Sequence, residues 1–131
     1  MRGPERLHAW RVVAEPGAVE ALEMLGARIV LRIAPDDALV LDDAEPAVRD
    51  PDAIVVTERG FVGWELGPGE VDALAHGHIE WELPTARPAA RSSLAQGLVA
   101  QVPAKVWLRE DGSALLMCAA ALSAELQERL A

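Results

Sequence analysis

A segment in the middle of the chain places the tightest constraint on how this sequence can fold. Residues 53–57 form an apolar run, which is typical of a strand covered on both faces. Residues 61–66 then alternate between apolar and other side chains, which predicts a second strand with one apolar face. A helix is predicted to start near Pro68 and to end at Gly77, and a third, half-buried strand is predicted at residues 79–83. This order of strands and helix defines a compact α+β unit.

Similar patterns on both sides of this segment predict further elements. Residues 18–25 carry apolar side chains at helical spacing, and residues 29–41 predict a hairpin. Residues 104–118 predict a second hairpin with a tight Asp-Gly turn, and residues 119–131 predict a terminal amphipathic helix.

Two segments are less strongly patterned. An edge strand is expected at residues 7–13. Residues 94–102 are compatible with a short helix and equally with two short strands around Gly97, because a glycine weakens either element.

The order of these elements predicts the fold class. Helices flank hairpins and seldom bridge adjacent parallel strands, so we expect an α+β fold with a mostly antiparallel sheet and about three helices. A chain of 131 residues is expected to form a single domain. Residues 15–42 and 53–131 are candidates for a degenerate internal repeat.

Composition narrows the classes of partner and compartment. The net charge of −9, with scattered basic residues, argues against nucleic acid, because phosphate binding needs a concentrated basic face. No apolar run approaches the roughly 20 residues of a membrane span, and the N-terminus lacks a signal-peptide core, so we expect a cytoplasmic protein without a membrane partner. Cys118 is the only cysteine, which excludes an intramolecular disulfide, and its apolar surroundings predict a buried side chain.

Two stretches of sequence carry a resemblance to known proteins. They are VVTERGFVGWELGPGEVDALAHG at residues 55–77 and ARSSLAQGLVAQVPAKVWLREDGSALLMCAAALSAELQERL at residues 90–130. They resemble the folate-binding domain of the glycine-cleavage aminomethyltransferases, and more closely the gamma subunit of heterotetrameric sarcosine oxidase. The segment LRIAPDDALV at residues 31–40 resembles a strand, turn and returning strand of that gamma subunit. The resemblance implies a ferredoxin-like α+β fold with added strands, and an accessory chain of a flavin-dependent assembly that carries no flavin itself.

No sequence motif for catalysis is present. The Gly67–Glu70 segment lacks the glycine spacing and lysine of a phosphate-binding loop. Cys118 has no supporting histidine context, and the sequence contains no tyrosine to act as a general acid or base. We therefore predict no catalytic residue and expect a chain without catalytic activity of its own.

Four residues are candidates for binding a ligand. Arg91 and Lys105 flank a serine-rich stretch and are candidates for contacting a carboxylate, such as the glutamate tail of a folate. Trp107 shares a predicted strand face with Lys105, and Trp107 or Trp64 is a candidate for stacking on a planar ligand. The alternative is that the cations are solvated and that the indoles serve packing or a protein interface.

One set of residues is a weak candidate for binding a metal ion. His76, His78 and Glu80, followed by Glu82, alternate along the sequence. They would point to one face if the segment were extended, with groups that suit Zn²⁺. The alternative is the solvated face of a strand, with His76 at a helix end where a cation complements the helix dipole. We favour the alternative and predict no metal site.

These observations lead to two functional expectations. The first is a non-catalytic accessory or scaffold protein that acts through a protein partner or as a homo-oligomer, without a cofactor. The second is a binding module for a tetrahydrofolate-like or other planar anionic small molecule.

Overall fold

The computed structural model describes residues 1–24, 29–81, 83 and 93–131. Within these ranges, nine strands form two antiparallel sheets, accompanied by three α-helices. The predicted α+β class, with mostly antiparallel strands and about three helices, is therefore confirmed. The likeness to a ferredoxin-like domain stays a prediction.

The elements follow one another along the chain in a simple order. They are β1 (Arg2–Arg6), β2 (Ala9–Val13), α1 (Pro16–Met24), β3 (Ile29–Ala34), β4 (Asp37–Leu41), β5 (Ile54–Glu58), β6 (Phe61–Leu66), α2 (Pro68–His78), β7 (Ser93–Val99), β8 (Val102–Leu108), β9 (Ala114–Ala119), a 3₁₀ turn (Ala120–Leu122) and α3 (Ser123–Leu130).

The chain divides into two compact units. The smaller unit comprises residues 7–59, and the larger unit comprises residues 1–6 and 60–131. The larger unit contains nearly all the predicted site residues and is therefore described in more detail. The expectation of one domain with an internal repeat stays a prediction.

The smaller unit is a four-stranded sheet in the order β3-β4-β2-β5 with α1 on one face. The helix buries Val19 and Leu22 in a cluster with Val12 and Val40 of the sheet, as the helical spacing of its apolar residues predicts. The expected edge strand at residues 7–13 is wrong in its position, because β2 pairs with both β4 and β5.

Strand β5 also lies at a different place in its sheet from the predicted one. The apolar run at residues 53–57 was expected to be covered on both faces, whereas β5 is the edge of its sheet. Val55 packs against the core of the unit, but Ile54 is 58% exposed and Val56 is 50% exposed. An apolar run reports high β propensity and does not report how many neighbours the strand has.

The larger unit is a five-stranded sheet in the order β1-β6-β9-β8-β7. Helices α2 and α3 contribute Leu74 and Leu126 to a core that includes Trp64, Val106 and Leu116 of the sheet. Because strand side chains alternate between faces, every second residue of β6 and β8 enters this core.

The predicted boundary between helix and strand at Gly77 is wrong. Helix α2 ends at His78, with Ile79 as its C-cap, so Gly77 lies inside the helix. The described residues of the expected third strand, 79–81 and 83, belong to no sheet. Ile79 and Leu83 are nevertheless buried in the core. The alternation therefore indicated burial correctly, but burial alone does not provide a strand with a hydrogen-bonding partner.

The ambiguous stretch before β8 forms one strand that continues through Gly97. Strand β7 pairs with β8 from Ser93 opposite Leu108 to Val99 opposite Val102, so neither a helix nor two short strands forms there. The connecting residues Ala100 and Gln101 both have positive φ angles, 49° and 67°. Two residues of this kind form the tight turn that matches the twist of a hairpin, although neither is a glycine.

Gly97 permits a close contact between β7 and an aromatic ring. A Cβ atom added at Gly97 would lie 2.6 Å from Nε1 and from Cε2 of Trp81, which is shorter than any van der Waals contact. The Trp81 Nε1–H group donates a hydrogen bond of 2.9 Å to the carbonyl oxygen of Leu98. The ring is therefore held against the strand by both packing and a hydrogen bond.

We predict that Gly97→Ala destabilises the protein. The new methyl group must displace the Trp81 ring, and overpacking of this kind costs about 1–3 kcal/mol. Urea denaturation measures the change in the free energy of unfolding.

Gly77→Ala is the matched control. A Cβ at Gly77 meets no atom within 4 Å, and alanine is favoured over glycine inside a helix by about 1 kcal/mol. We expect Gly77→Ala to be neutral or stabilising. Equal destabilisation by the two substitutions would contradict the proposed role of Gly97.

Candidate functional site

Strand β8 supplies both the core and the candidate site of the larger unit. Val106 and Leu108 are buried against the helices, whereas Lys105 and Trp107, which alternate with them along the strand, are half-buried. The alternation along a strand therefore places Lys105 and Trp107 together on the face opposite the helices.

The Lys105 cleft is a hollow of about 360 Å³ in the larger unit. This volume lies within the usual range for small-molecule sites. The described residues that line the cleft are mostly apolar. They are Phe61, Gln96, Gly97, Leu98, Pro103, Ala104, Lys105, Met117, Cys118, Ala119 and Leu122.

The polar groups of the Lys105 cleft come from two neighbouring strands. Gln96 of β7 lies opposite Lys105 of β8 in the sheet, and Lys105 Nζ donates a hydrogen bond of 2.7 Å to Gln96 Oε1. The same Nζ atom lies 5.7 Å from the centre of the Phe61 ring, within range of a cation–π interaction. No aspartate or glutamate is among the described residues of the lining, so an anion would meet no opposing carboxylate from them.

Trp107 is engaged by a neighbouring arginine. The Arg109 guanidinium carbon lies 4.9 Å from the centre of the Trp107 ring. Arg109 also forms two hydrogen bonds to the Glu65 carboxylate, of 2.7 Å and 2.9 Å. This forked pairing holds the guanidinium in place, where it covers part of the indole that was a candidate for stacking on a ligand.

A second hollow, of about 350 Å³, is lined by charges of both signs. Its arginines, Arg2 and Arg109, are accompanied by Glu65 and Glu70. Glu65 pairs with Arg109, and Glu70 pairs with the terminal amino group of Met1. Because its lining includes the two carboxylates of Glu65 and Glu70, which repel an anion, this hollow is a weak candidate for an anion site.

Of the four predicted ligand residues, Lys105 alone is among the described residues that line the cleft, and Trp107 shares its strand face without lining it. Trp64 is only 1% exposed and belongs to the core. Its indole N–H has no hydrogen-bond partner in the described part of the chain. Arg91 lies outside the described residues.

The histidines of the weak metal candidate are separated by the helix that contains them. His76 and His78 both belong to α2, and residues two positions apart in a helix point to different sides. His76 Nδ1 lies 2.8 Å from the carbonyl oxygen of Asp72, and Glu80 is exposed beyond the helix. Among the described residues, no group of three or more histidine, cysteine, aspartate or glutamate side chains is placed to hold a metal ion.

Cys118 is buried, as expected, and its thiol is poorly reactive. The side chain is 1% exposed, and Sγ lies 3.3 Å from the carbonyl oxygen of Ala119. Burial raises the pKa of the Cys118 thiol, because desolvation disfavours the thiolate. The neutral thiol is not nucleophilic, so Cys118 is poorly suited to covalent chemistry.

We predict that iodoacetamide alkylates Cys118 at least about tenfold more slowly in the native protein than in denaturant. The raised pKa also has a consequence for stability. The folded state holds the proton of the Cys118 thiol more strongly than the unfolded state does. The contribution of this thiol to the free energy of unfolding is therefore complete below its pKa in the unfolded state, and it is lost as the pH rises through its pKa in the folded state. Mass spectrometry of timed samples measures the rates of alkylation by iodoacetamide. Equal rates in the native and denatured states would contradict the burial of a protonated thiol.

Sequence reasoning missed three contributors to this face. Arg109 follows Lys105 and Trp107 at the same spacing of two, a signal that was available in the sequence. Phe61 and Gln96 carried no such signal, because their proximity to Lys105 results from the pairing of strands that are distant along the chain.

No protein-family model, curated protein or solved structure matches this chain. In the described ranges, no helix is both long and apolar enough to cross a membrane.

Proposed function

We propose that this chain is a non-catalytic accessory or scaffold protein, related to the gamma subunit of sarcosine oxidase, that acts through a protein partner or further copies of itself. The observation that supports this function is the apolar edge strand β5. Ile54 and Val56 on one face of this strand are both at least half exposed. Exposed apolar side chains on a sheet edge are a liability that proteins ordinarily avoid, and contiguous ones mark interaction surfaces.

The geometry of β5 suits the addition of a strand. Among the described strands, β5 pairs only with β2, so its outer edge presents backbone N–H and C=O groups for an incoming chain. A partner strand would gain affinity from main-chain hydrogen bonds, and the side chains of Ile54 and Val56 would select its apolar residues. On the neighbouring strand, Ile54 lies opposite Val13 and Val56 lies opposite Arg11.

We predict that Val56→Lys weakens self-association or partner binding about tenfold or more, because a charge replaces an apolar contact of roughly 1.4 kcal/mol or more. Light scattering coupled to size-exclusion chromatography over a concentration series measures self-association. A pull-down from the source cell with both variants measures partner retention.

Met24→Lys is the matched control, because Met24 is 69% exposed on α1 and does not belong to β5. It should leave association unchanged. A strictly monomeric protein that retains no partner would contradict the proposed function, and equal effects of the two substitutions would contradict the assignment to β5.

The second candidate function is a binding module for a planar, acidic small molecule such as a tetrahydrofolate derivative. The observation that favours it is the Lys105 cleft, where an amine lies in a mostly apolar lining. Trp107 shares the strand face of Lys105, and Arg91, outside the described residues, remains a candidate for a second carboxylate.

Titration with folinate tests this second function. We expect saturable quenching of tryptophan fluorescence, corrected for absorption by the ligand, and a smaller signal change for Trp107→Phe. A flat response over the full titration would contradict folate-like binding.

A further inference from the structure

We infer that β5 pairs with β5 of a second copy of this chain, in antiparallel orientation and about a two-fold axis beside Val56. This inference rests on the proposed function and names the partner that the β5 edge receives. The pairing would join the four-stranded sheets of the two smaller units into one continuous sheet.

The outer edge of β5 lacks the features that ordinarily protect the edge of a sheet. Those features are charged side chains, prolines and bulges. Residues 53–57 read Ala-Ile-Val-Val-Thr, without a charge or a proline, and β5 pairs with β2 residue by residue without a register shift. The edge is therefore regular, and a second strand can pair along its whole length.

The opposite edge of the same sheet is protected. Strand β3 contains Arg32, and its pairing with β4 is irregular between Arg32 and Ala34. A dimer formed through β5 would have β3 at both of its outer edges, so the joined sheet would not continue to grow. The contrast between the two edges favours a closed pair of copies over an open series of them.

The length of β5 selects the register of the pairing. The strand has five residues, Ile54–Glu58, and Val56 is the middle one. An antiparallel pair centred on Val56 places every residue of β5 opposite a residue of β5 in the other copy, whereas any other centre leaves residues at the ends of the strand unpaired. Both copies then use the same surface, as a two-fold dimer requires.

The side chains match in this register. The two Val56 side chains lie opposite each other, and Ile54 lies diagonally from Val56 of the other copy, within reach of a contact on the same face. On the other face, Val55 lies opposite Thr57, and both residues are β-branched. The exposed side chains of Ile54 and Val56, at 58% and 50%, would therefore be covered by the same two residues of the second copy.

The charge of the chain is compatible with this pairing. Each copy carries a net charge of −9, so two copies repel each other at long range. At physiological ionic strength this repulsion is screened beyond about 8 Å. Residues 53–57 carry no charge, so the middle of the paired strands places no like charges opposite each other.

Charge-swapped variants of Val56 test the inference on the purified full chain. Light scattering coupled to size-exclusion chromatography should show a dimer whose fraction rises between about 1 µM and 1 mM, a range that covers weak and moderate affinities. Val56→Lys and Val56→Glu should each weaken dimerisation about tenfold or more, because like charges would lie opposite each other at the axis. An equimolar mixture of the two variants should recover the dimer, because opposite charges then lie opposite each other.

Met24 provides the matched controls, because it is 69% exposed on α1 and does not belong to β5. Met24→Lys and Met24→Glu, alone or mixed, should dimerise like the natural chain.

Cysteine cross-linking tests the register. Val56→Cys places a thiol on each of two opposite residues, whose Cα atoms lie about 4.5–5.5 Å apart in an antiparallel pair, within the range for a disulfide. Mild oxidation should cross-link Val56→Cys at least about tenfold faster than Met24→Cys, as measured by non-reducing electrophoresis. Cys118 is buried and gives the same background in both variants.

The outcomes separate this inference from the function on which it rests. A purified chain that stays monomeric up to about 1 mM, a mixture that does not recover the dimer, or equal rates of cross-linking would overturn the inference. If the chain stayed monomeric but retained a protein from the source cell, and Val56→Lys abolished that retention, the proposed function would stand and the second copy would be the wrong partner. If the chain neither dimerised nor retained a partner, both would be wrong.

Discussion

The close contact between Gly97 and the Trp81 ring is the constraint on which the larger unit depends. Trp81 belongs to the segment after α2 that pairs with no described strand, and the hydrogen bond from its indole to the Leu98 carbonyl anchors that segment to β7. Only a residue without a side chain leaves room for this approach. The same strand pairs Gln96 with Lys105 one residue earlier. The contact between Gly97 and Trp81 therefore also supports β7, the strand that provides Gln96 to the cleft.

Strand β8 couples stability to the candidate site through the alternation of its side chains. Val106 and Leu108 hold the strand in the core, so Lys105 and Trp107 are presented on a backbone that has little freedom to move. A site built on a paired strand retains its geometry better than one built on a loop. By contrast, β5 offers an edge whose outer hydrogen-bonding groups suit a protein partner. The two candidate functions thus use different units of the chain and different physical interactions.

Predictions that depend on residues close together in the sequence were confirmed, whereas predictions about which strands lie side by side were not. The hairpins β3-β4 and β8-β9 were predicted because turn residues and alternation are local signals, and α1 was predicted because helical spacing is local. Residues 79–83 were misassigned because alternation reports burial and not pairing. For β5, the apolar run was consistent with a strand but contained no information about its place in the sheet. In the candidate site, Lys105 and Trp107 were found by their spacing, whereas Phe61 was not.

The sequence by itself determined the class of fold, most of the elements and the faces of the strands, because side-chain direction repeats with a period set by the backbone. It placed Lys105 and Trp107 on one face of a strand. Only the tertiary structure decided that β5 is an edge, that Trp64 is in the core and that Phe61 lies beside Lys105. These outcomes depend on which strands pair, and strand pairing is set by contacts between residues far apart in the chain.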